Sequence, residues 1–297
     1  MRILLFGKNG QLGWELQRSL APLGEVISLG THDTPCADFT RPSDVAATVR
    51  ALAPDVIVNA AAYTAVDKAE SDAHTAMTVN GVTPGVLAEA AAGLRAWLVH
   101  YSTDYVFDGQ GVTPWREDDP VAPLNEYGRT KLAGEQNIRM SGCKHLILRT
   151  SWVYAARGGN FAKTMLKLAQ ERDALSVIDD QFGAPTGADL LADVTAHALR
   201  SAMREPGLQG TYHVAPRGET TWHGYAQHVI SRARAAGLPI KVAEDAIAAV
   251  PTSAFPTPAR RPANSRLNTH KLRHTFDLHL PDWQLGVDRM LAEFLQK

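Results

Sequence analysis

The stretch Arg2-Ile3-Leu4-Leu5-Phe6-Gly7-Lys8-Asn9-Gly10-Gln11-Leu12-Gly13 joins a short apolar run to a glycine-rich turn and the start of a helical pattern. A strand, a turn and a helix in this order are typical of the dinucleotide-binding unit of doubly wound α/β proteins. Glycines let the backbone approach a pyrophosphate, and the helix N-terminus supplies free N–H groups to hold it. Gly7, Gly10 and Gly13 follow a G-x-x-G-x-x-G spacing and therefore predict a cofactor site.

Four further apolar segments of strand length follow this stretch, and helical patterns separate them; they are residues 25–29, 55–59, 97–101 and 145–150. Strands that alternate with helices predict an α/β fold, here a Rossmann-like doubly wound parallel sheet with helices on both faces. Between the third and fourth strands, residues 66–92 are rich in Ala and predict one long helix, with Gly81 or Pro84 as the position of a bend.

The second half of the chain has shorter predicted elements and denser turn signals, beginning at about residue 155. A chain of 297 residues exceeds the size that one hydrophobic core usually serves. We therefore predict that residues 1–150 form an NAD(P)-binding Rossmann domain. Residues 151–297 are predicted to form mainly a smaller C-terminal substrate-binding lobe, with some segments returning to pack on the Rossmann domain.

The composition is that of a soluble globular protein, with 45% hydrophobic and 21% charged residues. A net charge of −1 offers no electrostatic footprint for nucleic acid or an anionic membrane, so we expect a small-molecule partner. Two cysteines, Cys36 and Cys143, make no disulfide framework and favour a reducing compartment. The apolar run at residues 3–6 is too short for a signal peptide or a membrane span. We expect a cytoplasmic protein.

Tyr127 and Lys131 lie four residues apart at the start of a predicted helix that runs to Met140. Side chains at this spacing share one helical face, so both can act on one substrate. An ammonium beside a phenol favours the phenolate, and we expect Lys131 to lower the pKa of Tyr127 from its ordinary value of about 10. Such a tyrosine is a suitable proton donor for the reduction of a carbonyl.

Polar or small residues follow several predicted strands, at the crevice where doubly wound sheets bind ligands. Residues 102–104 read Ser-Thr-Asp, and the small residues 60–62 would let a cofactor lie against the backbone. The second strand ends at Gly30, where an acid would normally bind the ribose 2′-hydroxyl, with Asp33 just beyond. Without that charge, we expect the site to accept NADPH at least as well as NADH. The sequence leaves open which of the two cofactors is used.

Several motifs occur in the right order for one family within the extended short-chain dehydrogenase/reductase superfamily. Besides the glycine turn and Tyr127-x-x-x-Lys131, the motifs cover residues 60–67, 102–107, 149–154, 180–186 and 258–262. With these, the chain resembles the dTDP-4-dehydrorhamnose reductase family from end to end. The resemblance implies reduction of the C4 ketone of dTDP-4-dehydro-L-rhamnose, the last step of dTDP-rhamnose synthesis, by reduced nicotinamide.

The resemblance also implies individual roles. Tyr127 is the expected proton donor, Lys131 lowers its pKa and binds the nicotinamide ribose, and Thr103 hydrogen-bonds the same oxygen. The residues expected at the cofactor are Gly7, Gly10, Gln11, Leu12, Gly13, Asp38, Phe39, Ala62, Tyr63, Thr64, Tyr127 and Lys131. Those expected at the nucleotide sugar are Thr103, Asp104, Trp152, Thr64 and Val66.

A magnesium ion that bridges carboxylates at a homodimer interface is a further implication of the resemblance. The corresponding acids are Glu15, Asp189 and Glu293, which have no metal-ligand spacing of their own in the sequence. Zinc is not expected, because His270 and His274 are the histidine pair at helical metal spacing and lack a third partner.

Two other functions of the same scaffold remain alternatives at this point. A redox-neutral nucleotide-sugar epimerase or 4,6-dehydratase would keep the glycine turn, Tyr127 and Lys131. A dehydratase of this kind follows its Thr-Asp pair with Glu, whereas Tyr105 follows Asp104 here. A non-catalytic regulatory subunit, like the methionine adenosyltransferase beta subunit, is the other alternative, and the intact Tyr127 and Lys131 argue against it.

Overall fold

A computed structural model describes residues 1–295 and has a six-stranded parallel sheet at its centre. The strands are β1 Arg2–Phe6, β2 Glu25–Leu29, β3 Val56–Asn59, β4 Trp97–Thr103, β5 Lys144–Thr150, β6 Val153–Tyr154, β7 Leu175–Ile178, β8 Phe182–Gly183, β9 Thr186–Gly187, β10 Gly210–His213, β11 Thr220–Thr221 and β12 Ile247–Val250. The central order is β10-β5-β4-β3-β1-β2. This order reverses direction after β1, as expected of a doubly wound sheet, and the predicted fold class is confirmed.

Helices cover both faces of the sheet and build the second half of the chain. They are α1 Gln11–Leu20, α2 Pro42–Leu52, α3 Val66–Ala69, α4 Ala73–Met77, α5 Thr83–Leu94, α6 Glu126–Met140, α7 Phe161–Glu171, α8 Ala188–Arg204, α9 Trp222–Ala235, α10 His270–Phe276 and α11 Trp283–Leu295. Two buried clusters lie on opposite faces of the sheet, one around Leu16 and Leu199, the other around Leu87 and Val49. Strands buried on both faces explain why the predicted strand segments read as continuous apolar runs.

The parallel register aligns the carboxyl ends of the strands that carry the predicted site. Phe6 of β1 pairs with Asn59 of β3, which in turn pairs with His100 of β4, and Thr103 of β4 pairs with Thr150 of β5. The segments that follow these residues therefore lie along one edge of the sheet. This edge brings together the glycine turn, residues 60–64 and the Thr103 segment.

The single helix predicted over residues 66–92 is wrong, but one of its interruptions lies at Gly81 and Pro84, where a bend was predicted. The chain forms α3 and α4, then a π-helical turn at Thr78–Val82, then α5. Gly81 lies in the π turn, where an added Cβ would be 2.6 Å from the sulfur of Met77, and Pro84 lies in the first turn of α5. Helical composition alone predicts continuity, but the close packing of this turn decides where the helix breaks.

The second half of the chain contributes to the central sheet as well as to a smaller lobe. Strand β10 extends the sheet by pairing with β5, and α8 packs against α1. Helices α7, α9 and α11 form a separate core around Tyr225, Val229 and Trp283. The domain boundary at residue 150 stays a prediction, and residues 296 and 297 of the predicted lobe lie outside the described part.

None of the helices within residues 1–295 is both long enough and apolar enough to cross a bilayer.

Candidate active site

The glycine turn between β1 and α1 is tightly packed, and side chains at Gly7 and Gly13 would collide with the backbone. Gly7 has φ +87°, and an added Cβ would lie 2.7 Å from the backbone of Ala60. An added Cβ at Gly13 would lie 2.0 Å from the carbonyl oxygen of Gly7. Gly10 precedes α1, and within the described residues no side chain caps this helix end. Free N–H groups at Gln11 and Leu12 therefore face a turn suited to a pyrophosphate.

The segment after β3 contains Ala62, Tyr63 and Thr64. Its backbone is fixed by Asn80, a residue that the sequence did not indicate. Asn80 of the π turn accepts a hydrogen bond from the Tyr63 N–H at 2.9 Å and donates to the Tyr63 carbonyl at 3.0 Å. The Tyr63 hydroxyl donates to Asp72 at 3.1 Å. Ala62 and Thr64 are exposed. The segment therefore presents its small side chains to solvent while Asn80 fixes its backbone.

Asp38 and Phe39 occupy different environments although both are predicted at the cofactor. The Asp38 carboxylate accepts hydrogen bonds from the backbone N–H and the hydroxyl of Thr40, at 3.0 and 2.7 Å. Phe39 is buried and meets Phe6 edge to face, with ring centroids 5.4 Å apart. Phe39 is thus part of the core below the sheet edge, and its cofactor role stays a prediction.

Tyr127 lies in the first turn of α6, which is held tightly against the segment after β4. The side chain of Asn125 caps α6 by accepting the Gly128 N–H at 2.8 Å. Gly128 lets the helix approach Tyr105, because an added Cβ would lie 2.2 Å from the Tyr105 carbonyl oxygen. The rings of Tyr105 and Tyr127 meet edge to face at 5.5 Å. The cap and the close contact fix the position of the Tyr127 phenol.

The prediction that Lys131 lowers the pKa of Tyr127 is wrong. Burial and the Asp104 carboxylate together raise the pKa of Tyr127 to about 12, and a hydrogen bond with Thr103 opposes the rise. Lys131 shares a helical face with Tyr127, but its amine reaches the β4 backbone, where it donates to the Tyr101 carbonyl at 2.6 Å. Helical spacing predicted the shared face and not the direction in which the lysine extends.

Lys131 is itself buried, with 2% of its surface exposed, and Nζ lies 3.3 Å from Nε2 of His100. Burial lowers the pKa of Lys131 to about 8, and the negative charge of Glu135 opposes this. Burial and the neighbouring Lys131 charge also lower the pKa of His100 well below its ordinary value, so the ring is neutral. Lys131 therefore changes its charge near the physiological range, which an exposed lysine does not do.

Asn59 determines which nitrogen of the His100 ring carries the proton. The Ala61 N–H donates to Asn59 Oδ1 at 3.1 Å, so Asn59 Nδ2 is the atom that faces His100 Nδ1 at 3.0 Å. An amide NH₂ can only donate, and Nδ1 must accept, which leaves the proton on Nε2. This N–H then faces the amine of Lys131. The arrangement favours the neutral amine and agrees in direction with the lowered pKa of Lys131.

Thr103 and Asp104 form the turn between β4 and the approach to α6. The Thr103 hydroxyl donates to Asp104 Oδ1 at 3.1 Å and accepts the Tyr105 N–H at 3.2 Å. Asp104 is 1% exposed, and its Oδ2 has no hydrogen-bond partner within residues 1–295. Burial raises the pKa of Asp104 to about 6, and contacts with Ser265 and Thr103 oppose the rise. The turn thus presents a hydroxyl and a buried carboxyl beside the Tyr127 phenol.

Trp152 follows β5 and stacks on a second tryptophan. Its backbone has φ +50°, a conformation that bulky side chains rarely adopt. Its ring stacks on Trp222 with centroids 3.7 Å apart, and Gly183 leaves room for it, since an added Cβ would lie 2.8 Å from the ring. Val66, the other predicted sugar contact, is half-buried at the start of α3. The substrate roles of both residues stay predictions.

The three acids predicted to bind magnesium lie near one another but do not complete a site. Glu15, Asp189 and Glu293 line one surface cavity of about 30 Å³, together with Arg289, which lies 3.5 Å from Asp189. Across residues 1–295, no three His, Cys, Asp or Glu side chains are grouped so that they could hold a metal ion. The fold thus gathers acids that the sequence scatters, and metal binding stays a prediction.

Arg261 and Asp67 form an ion pair between the second and the first half of the chain, near the start of α6. Arg261 donates from both terminal nitrogens to the two carboxylate oxygens of Asp67, each at 2.7 Å. Asn125, the cap of α6, also donates to the Arg260 carbonyl at 2.8 Å. The family motifs contain Asp67 and Arg261, but the resemblance gave neither residue a role. Their separation of 194 residues left no signal that they pair.

Comparisons with known proteins agree with this architecture. The family model described as "RmlD substrate binding domain" matches residues 1–296. A curated dTDP-4-dehydrorhamnose reductase from Salmonella typhimurium is 60% identical over 294 residues, covering 99% of this chain and 98% of the relative. The crystal structure of a dTDP-4-dehydrorhamnose reductase from Clostridium acetobutylicum is 36% identical, with a TM-score of 0.87 and full coverage of both chains.

A further solved structure, the dTDP-4-dehydrorhamnose reductase of Bacillus anthracis, is described as a complex with NADP. It is 35% identical, has a TM-score of 0.87, and covers 98% of this chain and 99% of its own. These matches extend over nearly the whole sequence, as the motifs predicted. The resemblance is confirmed: this chain belongs to the dTDP-4-dehydrorhamnose reductase family.

Proposed function

We propose that the chain reduces the C4 ketone of dTDP-4-dehydro-L-rhamnose to dTDP-L-rhamnose, the last step of dTDP-rhamnose biosynthesis, with NADPH or NADH as reductant. Membership of the family supports this reaction. The observation that supports it most is the hydrogen bond between the Thr103 hydroxyl and the Tyr127 phenol. The buried amine of Lys131 binds the carbonyl of Tyr101 on the same strand as Thr103. A carbonyl oxygen placed at Thr103 and Tyr127 would meet a proton donor and a second hydrogen-bond donor.

The glycine turn fits a dinucleotide cofactor. An added Cβ at Gly7 or Gly13 would collide with the backbone, and the uncapped start of α1 offers N–H groups to a pyrophosphate. Gly10, Gln11 and Leu12 would hold the pyrophosphate, and the segment after β3 would lie beside it. When bound, the reduced nicotinamide supplies the hydride for the ketone carbon.

The role of Tyr127 follows from its pKa. Because that pKa is raised to about 12, the phenol keeps its proton at neutral pH and can act as an acid. The phenol O–H bond breaks as the sugar O–H bond forms, which leaves a phenolate. The Thr103 hydroxyl stabilises that negative charge. The Lys131 amine, when protonated, binds the nicotinamide ribose in this proposal. Asp104 and Trp152 bind the nucleotide sugar in this proposal, with Thr64 and Val66 at its edge.

Absorbance of NADPH tests the reaction directly. Purified protein is mixed with NADPH and a dTDP-4-keto-6-deoxy-L-sugar, and a reductase must consume NADPH in a one-to-one ratio with the sugar. The Tyr127→Phe variant serves as the control for contaminating activity. A redox-neutral epimerase, a dehydratase or a regulatory subunit leaves the absorbance flat, and a flat trace with wild-type protein refutes the proposal.

We further propose a cytoplasmic homodimer in which magnesium bridges Glu15, Asp189 and Glu293 of both subunits. Carboxylate oxygens suit a hard cation, and residues 1–295 of a single chain do not group enough of them. Two copies that face each other across the small cavity would double the number of carboxylates. Sedimentation with and without a chelator tests this, with Glu15→Gln as the site variant and Glu244→Gln on the lobe as its control. A mass that stays monomeric under all conditions refutes the dimer.

A further inference from the structure

The end of β2 lacks the acid that usually recognises the adenosine ribose, and a turn brings another acid to the same place. The Asp33 N–H donates to the Gly30 carbonyl at 3.0 Å, which closes a tight turn. In return, the Gly30 N–H donates to Asp33 Oδ2 at 2.7 Å. The carboxylate of Asp33 therefore lies against the backbone of Gly30, three residues from its own position in the sequence.

A lysine of the glycine turn neutralises this carboxylate. Lys8 Nζ lies 2.5 Å from Asp33 Oδ2, and the side chains are 30% and 32% exposed. The Lys8 N–H also donates to the Leu29 carbonyl at 3.3 Å, which holds the glycine turn beside the end of β2. The pair thus bridges the two segments that flank the adenosine end of a dinucleotide in this fold.

The two partners have opposite preferences for the ribose. A carboxylate accepts a hydrogen bond from the 2′-hydroxyl of NADH and repels the 2′-phosphate of NADPH. A lysine ammonium attracts that phosphate. Because both groups are partly exposed, either can exchange its partner for a ligand without loss of a core contact.

We propose that Lys8 and Asp33 form an exchangeable ion pair that reads the adenosine ribose, with Asp33 binding the 2′-hydroxyl of NADH and Lys8 binding the 2′-phosphate of NADPH. The inference rests on the proposed function and deepens it by naming the residues that set cofactor choice. Asp33 takes the place of the acid missing at Gly30, and Lys8 cancels its repulsion of the phosphate. The chain consequently uses both cofactors.

Substitution of each partner tests the pair. Lys8→Met leaves Asp33 uncompensated, so the ratio of kcat/KM for NADPH to that for NADH falls by about tenfold or more. Asp33→Asn keeps the shape and removes the negative charge, so the same ratio rises by about tenfold. Lys144→Met and Asp245→Asn, both exposed and outside these segments, are the matched controls and leave the ratio unchanged.

Binding of adenine nucleotides separates this inference from the proposed function, because it needs no sugar substrate. Calorimetry with 2′,5′-ADP and 5′-AMP measures the preference for the 2′-phosphate directly. Lys8→Met is expected to lose the preference of the wild-type protein for 2′,5′-ADP, and Asp33→Asn is expected to increase it. Ratios within twofold of wild type for both variants, in binding and in kinetics, overturn the exchangeable pair whether or not the protein reduces the sugar.

Discussion

Lys131 Nζ lies 2.6 Å from the carbonyl oxygen of Tyr101 and is buried between α6 and β4. The contact joins α6, the helix that carries Tyr127, to β4 in the interior of the sheet. It also removes the amine from water, which is the main reason for the lowered pKa of Lys131. The same hydrogen bond thus helps to position the helix that carries Tyr127 and keeps the Lys131 amine buried.

Tyr127→Phe deletes one hydroxyl and keeps the ring that packs against Tyr105. We expect folding and NADPH binding to survive and kcat to fall by about 10² to 10⁴-fold, the usual contribution of general acid catalysis. Single-turnover hydride transfer at saturating cofactor measures this, with Tyr212→Phe at the far sheet edge as the control. A variant that keeps more than about a tenth of the wild-type rate would place the acid elsewhere.

Thr103→Val replaces the hydroxyl that contacts both Asp104 and Tyr127 by a methyl group. We expect a smaller loss, about 10-fold to 100-fold in kcat, because one neutral hydrogen bond to a developing oxyanion is removed. The affinity for NADPH should not change. The same single-turnover assay ranks the two variants, and a loss larger than that of Tyr127→Phe contradicts the assigned roles.

The charge of Lys131 predicts an alkaline limit to the reaction. Its pKa is lowered to about 8, so the ammonium proposed to hold the nicotinamide ribose is present below that pH and is lost as the pH rises through it. The single-turnover rate should therefore decline as the pH rises through about 8. Lys131→Met should abolish this decline, lower the rate at neutral pH and weaken NADPH binding. The idea fails if the wild-type rate is flat between pH values of about 7 and 10.

The tautomer of His100 is a separate and directly measurable prediction. Asn59 donates to Nδ1, so the neutral ring should carry its proton on Nε2 at pH values above the lowered pKa of Lys131, where the neutral amine can accept it. Nitrogen-15 shifts of the imidazole distinguish a protonated nitrogen from a bare one. Asn59→Leu removes the donor and should produce a mixture of tautomers, whereas a proton found on Nδ1 in the wild-type protein contradicts the arrangement.

Glu135 and Arg149 form a buried ion pair beneath the site. Arg149 donates to both Glu135 oxygens, at 2.8 and 2.7 Å, and both residues are almost fully buried. Glu135→Ala leaves a buried guanidinium without its counter-charge, and we expect a loss of about 3–5 kcal/mol in the free energy of unfolding. Urea titration measures it, and Glu244→Ala in an exposed pair should cost less than about 1 kcal/mol. If Glu135→Ala and Glu244→Ala lose the same free energy of unfolding, the buried pair does not have the proposed role in stability.

The same pair has a pH dependence with a defined sign. Contacts with Arg149 lower the pKa of Glu135 against the opposing effect of burial. A carboxyl with a lowered folded-state pKa contributes stability above its unfolded pKa, and this contribution is lost as the pH falls through the folded value. The difference in stability between wild type and Glu135→Ala should therefore narrow in acid. If the difference in stability between wild type and Glu135→Ala stays constant as the pH falls into the acid range, the prediction is contradicted.

Local pattern predicted the fold because its signals are short-range. The apolar run before Gly7 and the four similar runs that follow it gave the strands, since a strand buried on both faces must be apolar throughout. The spacing of Tyr127 and Lys131 gave their shared helical face. The motifs along the chain gave the family. Gly81 and Pro84 predicted a bend within residues 66–92, but the sequence did not show that the chain forms three separate helices and a π turn there, because packing decides this.

The amino-acid sequence by itself determined which groups the active site contains, because residue type fixes what each side chain can donate or accept. Only the tertiary structure decided their charges and partners. Lys131 was expected to lower the pKa of Tyr127, yet burial raises that pKa. The amine of Lys131 donates instead to the carbonyl of Tyr101. Asp33 reaches Gly30 and Lys8 through a turn, and Asn59 selects the tautomer of His100 across two strands. Burial and long-range contacts set these properties, and neither is encoded in the spacing of neighbouring residues.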